Sequence, residues 1–241
     1  MSTDLIPFDA SALPTTELVT AEQMDELSKG VDYLQRLQLI TKGKYVDTGK
    51  IKPGHYGIPL PGGEEIDDLG SSIDILPLAV RAKALDMSDR EAVVAVYDMS
   101  TPEFQDIKAR SGEQDSGCMW GPSFLVVERS TGRCFEFFMG TKSSRAVSGD
   151  LINFLPVSEA TAAKQGIDAH GPLPCTLTVR YAKRGSWGWH VPVVNKCSEP
   201  FTKTPSLDVL REEMRKFIEV KDNGVQNVTE AETAAAKRRA R

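Results

Sequence analysis

The segment "SFLVVERSTGRCFEFFMG", residues 123–140, constrains the fold more than any other part of the chain. Two apolar runs flank a polar turn containing Gly132, which is the pattern of a β-hairpin. In the second run Phe135, Phe137 and Met139 alternate with Cys134, Glu136 and Phe138. One face of that strand is therefore strongly apolar and belongs in a core, with Leu125 and Val127 of the first run expected to be deeply buried as well. Such a hairpin needs more strands to cover it, and the sequence supplies them. "SIDILPLAVRAK" and "EAVVAVYDM" have strand composition, with Pro77 directing the first toward an edge or a bulge. "HGPLPCTLTVRYAKRGSWGWHVPVV" supplies two more.

Helices are fewer. Thr101 is a natural cap before Pro102, so "TPEFQDIKAR" predicts a short helix. Residues 158–167 predict another. Ser206 caps a third, with Leu207, Leu210, Met214 and Phe217 along one side. Met24, Leu27, Val31, Leu34 and Leu37 recur at steps of three or four, which predicts an amphipathic helix over 21–40. The Gly- and Pro-rich stretch 41–65 reads as a long loop or a series of short extended pieces. The expected class is β-rich α+β: an OB-like small β-barrel or bent antiparallel sheet with flanking helices, with a sandwich as the competing arrangement.

The expected organisation is a flexible acidic leader over 1–20, one globular domain over 21–222 and a mobile tail over 223–241. The start of the chain has no basic n-region and no long apolar run, so a signal peptide is not expected. No segment approaches the roughly 20 apolar residues that span a bilayer, and no membrane partner is expected. Cys118, Cys134, Cys175 and Cys197 never form a C-x-x-C pair and read as reduced, packed thiols in a cytoplasmic protein. A zinc site built from Cys175, His190 and Cys197 has no familiar spacing, so neither a metal nor a cofactor is expected.

Charge is unevenly spread under a net value of −5. Residues 1–28 carry Asp4, Asp9, Glu17, Glu22, Asp25 and Glu26 and no base, and Glu64, Glu65, Asp67 and Asp68 form a second acidic cluster. By contrast, 169–198 contains no acid while carrying Arg180, Lys183, Arg184 and Lys196. Within it, "RYAKRGSWGWHVPVV" sets Trp187 and Trp189 just after three cations.

The length of the turn decides what those tryptophans do. An even turn, at Arg184-Gly185 or over Lys183–Ser186, pairs Ala182 with Trp187, Arg180 with Trp189 and Thr178 with Val191. Both indoles then share a face with Arg180, while Cys175, Leu177, Val179 and Tyr181 form the core face. A three-residue turn moves Trp189 to the core face. The first register makes an aromatic and cationic surface on which single-stranded nucleic acid can stack. The second makes ordinary core aromatics. "GTKSSRAVSG", 140–149, offers Lys142 and Arg145 as further phosphate contacts or is simply a solvated loop, and it lacks the Walker pattern.

"LGSSIDILPLAVRAKALDMS", "SGCMWGPSFLVVERSTGRCFEFFMGTKSSR" and "WGWHVPVVNKCSEPF" followed by a helix resemble a group of poorly characterised tailed-bacteriophage proteins, over about residues 65–220. The resemblance implies single-stranded DNA binding through an OB-like fold, in phage replication or recombination, in the host cytoplasm. Single-stranded DNA is the partner it implies; replication proteins and further copies of the chain stay open as additional partners. Well-known single-strand binders end in acidic tails that recruit partners, whereas this chain ends in "KRRAR". Two competing functions stay open. One is a phage structural or scaffold protein. The other is a metal-dependent nuclease using the 64–68 carboxylates and Asp74, or a thiol enzyme using Cys118 with a histidine. The expectation is a non-catalytic binder using Trp187, Trp189, Arg180, Lys183, Arg184, Lys142 and Arg145.

Overall fold

Alternating apolar residues build the sheet, and its longest strand decides its shape. The computed structural model describes residues 34–60, 63–89, 93–113, 115–197 and 205–219, with the backbone of 226–227. The elements run β1 (Arg36–Ile40), α1 (Lys44–Asp47), β2 (His55–Pro59), β3 (Ile66–Gly70), β4 (Ser72–Asp86) and β5 (Val94–Val96). They continue with α2 (Pro102–Arg110), β6 (Cys118–Glu128), β7 (Arg133–Phe138), α3 (Lys142–Ile152) and α4 (Glu159–Gln165). The last are β8 (Cys175–Arg184), β9 (Trp187–Lys196), α5 (Leu207–Glu219) and β10 (Gln226–Asn227).

The protein is β-rich α+β, with one large mixed sheet. On one edge β4 pairs antiparallel with β6 from Ile75↔Glu128 to Asp86↔Cys118. Its other edge is shared between β8, along Ser72–Ile75, and β5, along Ala84–Asp86. Pro77 falls between those two stretches, where its missing N–H costs no ladder bond on that side, and a register shift follows it against β6. A proline inside a long strand is tolerated here because the strand is an edge locally.

The β6–β7 hairpin forms as its sequence demands, with Val126↔Phe135 and Phe124↔Phe137 paired. Its turn is organised by Glu128, whose carboxylate accepts from the backbone N–H of Ser130 and Thr131 at 2.7 and 2.8 Å. Phe135, Phe137 and Met139 enter the main core with Leu37, Tyr56, Ile58, Ile73, Ile75, Phe124, Val126, Leu151, Cys175 and Leu177. Leu125 and Val127 are just as buried, but on the opposite face, where Leu210, Met214 and Phe217 of α5 pack over them. Leu207 is not part of that seam and is largely exposed. α2 begins as expected, with Thr101 Oγ1 accepting from Phe104 N–H and Pro102 in the first turn.

Two expectations are corrected. Leu34 and Leu37 are not on one helical stripe: Arg36–Ile40 is a strand, parallel to β7 and antiparallel to β2. A step of three, helical in appearance, is an odd step in a strand and sends side chains to opposite faces. Leu37 accordingly enters the main core and Leu34 packs with the α5 cluster. The Gly/Pro-rich stretch is not one long loop: β2 is a short extended piece, as the second alternative has it, and the short helix α1 is the part not expected. Residues 1–20, the rest of the helix expected over 21–33, and the segment 228–241 lie outside the described residues. Within the stretch read as tail, Gln226 and Asn227 pair with Ala95 and Val94 of β5.

The sheet curves strongly. The Tyr56 hydroxyl on β2 donates to the Thr178 carbonyl on β8 at 3.1 Å, a side-chain bridge between strands from its two sides. Burial, with the nearby Cys175, pushes that phenol above its ordinary range.

Candidate nucleic-acid interface

β8 leaves the body of the sheet after four residues. Only Cys175–Thr178 pair with β4, while all of β8 from Cys175 to Arg184 pairs with β9. The distal half of the β8–β9 hairpin is therefore a two-stranded arm. Its loop is Gly185-Ser186, with Gly185 at φ +60°, the left-handed conformation a two-residue hairpin asks of glycine at its first position.

The turn is even, so the face assignment of the first register holds. The pairing itself is shifted: the loop sits one residue later than expected, giving Arg184↔Trp187, Ala182↔Trp189 and Arg180↔Val191. Period-two alternation places Trp187 and Trp189 on one face with Arg184, Ala182 and Arg180. Trp187 is 79% exposed and Trp189 37%. Arg180, Lys183 and Arg184 are exposed too. Lys183, opposite Gly188, belongs to the other face.

Tyr181 departs from its expected core position and is 60% exposed. Its ring lies across Gly188, where any Cβ would collide with the phenol, and beside His190 at 5.1 Å between centroids. His190 in turn packs on Gly54, where a Cβ would strike the imidazole. This stack props the arm against the β1–β2 connection while leaving the indole face open. The tyrosine is a contact candidate that sequence reasoning missed. No local signal marks it in the sequence, because its exposure follows from where β8 stops pairing with β4.

The second predicted phosphate contact is built differently from a loop. Lys142 opens α3, capped by Thr141, and is exposed. Arg145 lies over the Trp120 ring at 4.8 Å and donates to the Trp120 carbonyl at 2.7 Å and to the Gly140 carbonyl. Burial holds its guanidinium below its ordinary pKa. Arg145 thus clamps the start of α3 to β6, and the open-loop reading of 140–149 gives way to a helix because Thr141 caps it. α3 packs against β9.

The competing sites are taken apart. Cys175 sits opposite Lys196 at the base of the hairpin, whereas His190 is out on the arm, so the zinc set is not assembled. Among the described residues no group of three or more His, Cys, Asp and Glu is placed to hold a metal. The acidic cluster is partly strand, not loop, and its acids turn to separate partners: Glu65 to Lys50 at 2.5 Å and Asp68 to His55 at 2.8 Å. Asp74 accepts from Thr176 at 2.6 Å and Arg129 at 2.9 Å, which outweigh burial and hold its carboxyl below the usual range. Cys118 lies among Asp86, Arg110 and Ser116, and burial raises its thiol pKa, the reverse of an activated nucleophile.

A cationic group that the sequence did not announce lies on the face of β4, β6 and β7 that α5 covers. Glu136 is 5% exposed and receives Lys83 at 2.7 Å, Ser123 at 2.7 Å and Arg81 at 3.4 Å, with Arg36 at 3.8 Å. Burial alone would raise the Glu136 pKa, but Lys83, Ser123 and Arg81 outweigh it and hold the carboxyl at about 2. Burial, with Arg36 and Arg81, pushes Lys83 down to about 8 against the pull of Glu136.

No protein-family model, curated protein or solved structure matches this chain. No helix among the described residues is long and apolar enough to cross a membrane.

Proposed function

We propose that the protein is a non-catalytic binder of single-stranded nucleic acid, most naturally DNA, and that the β8–β9 arm is its contact surface. One observation carries this reading: the two-residue turn leaves Trp187 and Trp189 open on a face shared with Arg180 and Arg184, in a stretch without acids. Exposed indoles give bases a plane to stack on, and the guanidiniums give phosphates a partner. Lys183 and Tyr181 extend the same chemistry to the other side of the arm, and Lys142 on α3 adds a further exposed cation. Arg145 is left out of the contact set because its guanidinium is already engaged.

The order of elements supports an OB-like reading of the curved sheet. A long bent strand (β4), two more (β6 and β7), a helix (α3) and a closing hairpin (β8–β9) follow the sequence of an OB barrel. The β8–β9 turn would then be the loop between its fourth and fifth strands, one of the loops OB-folds use for oligonucleotides. β1, parallel to β7, stands where the fifth strand of such a barrel would close, which is a departure from the simple form. A role in phage replication or recombination follows from the resemblance of the sequence, and single-stranded DNA is the partner it names.

Tryptophan fluorescence titrated with single- and double-stranded oligonucleotides at two salt concentrations tests the proposal. Single strands should quench emission. Trp189→Ala should weaken binding by about 1–3 kcal/mol with stability nearly unchanged. Absence of quenching with any single strand, or equal affinity for Trp189→Ala, would overturn the reading.

A further inference from the structure

The buried face of β4, β6 and β7 has more positive charge than its own acid can balance. Arg81 and Lys83 share one enclosed carboxylate, Glu136, with the part-exposed Arg36 of β1 at its rim, so two enclosed cations against one anion leave one positive charge over. Arg81 is the most exacting member. Its side chain is 9% exposed, and its guanidinium lies between the Tyr97 ring at 3.9 Å and the Phe217 ring at 4.2 Å. Its Nη1 donates to the Phe217 carbonyl at 2.5 Å, while its Nε is buried without a hydrogen-bond partner.

Phe217 lies toward the C-terminal end of the described part of α5, and its carbonyl oxygen accepts from Arg81. The helix therefore gives Arg81 an aromatic plane and a carbonyl acceptor. A stacked base and its phosphate would give the same pair, and the phosphate would also meet the surplus charge and reach the orphaned Nε. α5 is seated by the apolar side chains Leu210, Met214 and Phe217. The charged side chains of α5 include three pairs along the helix, Arg211 with Asp208, Arg215 with Glu212 and Lys216 with Glu213. A cover of this kind can be exchanged for a ligand that satisfies the cations better.

We propose that the cation-rich face of β4, β6 and β7 is a second site for single-stranded nucleic acid, covered in the free protein by α5 and opened when the nucleic acid displaces the helix. The proposal rests on the binding activity assigned above. Because the open state is a minor one, the intrinsic affinity of the face is reduced by the fraction of molecules that are open.

Hydrogen exchange of the full chain, with and without a saturating dT oligonucleotide, tests it directly. Amides of 207–219 should exchange faster in the complex, while those of 81–83 and 134–136 stay protected. In the full chain, Phe217→Ala should tighten dT binding by about five- to tenfold, since it weakens the closed state. Exchange in α5 that stays unchanged or slows at saturation overturns the covered site, whatever Phe217→Ala does to folding. Protection confined to 180–190 with α5 unmoved would overturn the second site and leave the arm standing. No binding of dT at all would overturn both.

Discussion

The β6–β7 and β8–β9 hairpins are made of the same ingredients, aromatics and arginines around a glycine-bearing turn, and they end in opposite environments. β6–β7 lies between β4 and β1 with a core below and α5 above, so both of its faces are buried. β8–β9 touches β4 through four residues and then projects. The aromatics follow their neighbours: Phe135 is fully buried and Trp187 is 79% exposed. Charged side chains divide in a similar way, with Glu136 of β7 enclosed and Arg184 of β8 exposed. Composition makes a hairpin, and what flanks it decides whether its rings stabilise the fold or wait for a ligand.

The widest separation between the two should appear in stability. Phe137→Ala removes a ring that packs edge-on to Tyr56 at 6.2 Å between centroids in the main core. It should cost about 3–5 kcal/mol in urea denaturation. Trp187→Ala should change stability by less than about 0.5 kcal/mol, as for other exposed positions. Equal costs would mean that the arm is packed in solution and that the comparison fails.

The enclosed charges should give nearly as large an effect. Glu136→Ala leaves Lys83 and Arg81 buried without their carboxylate, and breaking a buried pair costs about 3–5 kcal/mol. The pair also sets an acid limit. The folded Glu136 titrates at about 2 against an ordinary 4.5, so the folded state binds fewer protons than the unfolded state between those values. Its contribution is complete above about pH 4.5 and is lost as pH falls toward 2. Tm should fall across that window, and Glu136→Gln should flatten the slope there. A wild-type slope that Glu136→Gln leaves unchanged would remove Glu136 as its source.

Legibility divides along the same line. The β6–β7 hairpin and the α2 cap at Thr101 are legible because each depends on local alternation or capping, whereas the parity of the β8–β9 turn stays open in the sequence because either loop length leaves one apolar face. β1 reads as part of a helix because its parallel partner, β7, lies far away in sequence, and a strand sending residues to two cores imitates a helical stripe. Tyr181 was misassigned because alternation gives a face but not where the supporting sheet ends. The Arg81–Lys83–Glu136 group was visible only as charges at odd places in apolar strands, "AVRAK" and "CFEFF". Nothing local says that three strands and a helix will bring them together.

Two glycines sharpen the comparison at a smaller scale. A Cβ at Gly121, in β6, would run into the Met139 carbonyl, and backbone there cannot step aside. Gly121→Ala should cost about 1–3 kcal/mol by overpacking. At Gly188 the obstacle is the Tyr181 phenol, the far end of an exposed side chain. Gly188→Ala should barely alter Tm, while the Tyr181 ring swings away from His190. That movement is readable as a shift of the His190 ring resonances in NMR. A cost at Gly188 matching that at Gly121 would show the arm to be as rigid as the body.

The smallest effect is expected from Arg180→Ala, and it concerns salt instead of stability. Arg180 is exposed on the indole face, two residues along from Ala182, which pairs with Trp189. A phosphate beside a base stacked on Trp189 lies within its reach, and neutralising one phosphate on a single strand releases about 0.7 of a counterion. Removing the cation should therefore lower the slope of log affinity against log salt by roughly 0.7, with stability unchanged. Trp189→Ala should do the reverse, reducing affinity at every salt concentration while keeping the slope, because stacking releases no counterions. If Arg180→Ala keeps the full slope, the phosphates run along the other face of the arm. Lys183→Ala should then carry the missing 0.7 or so of slope.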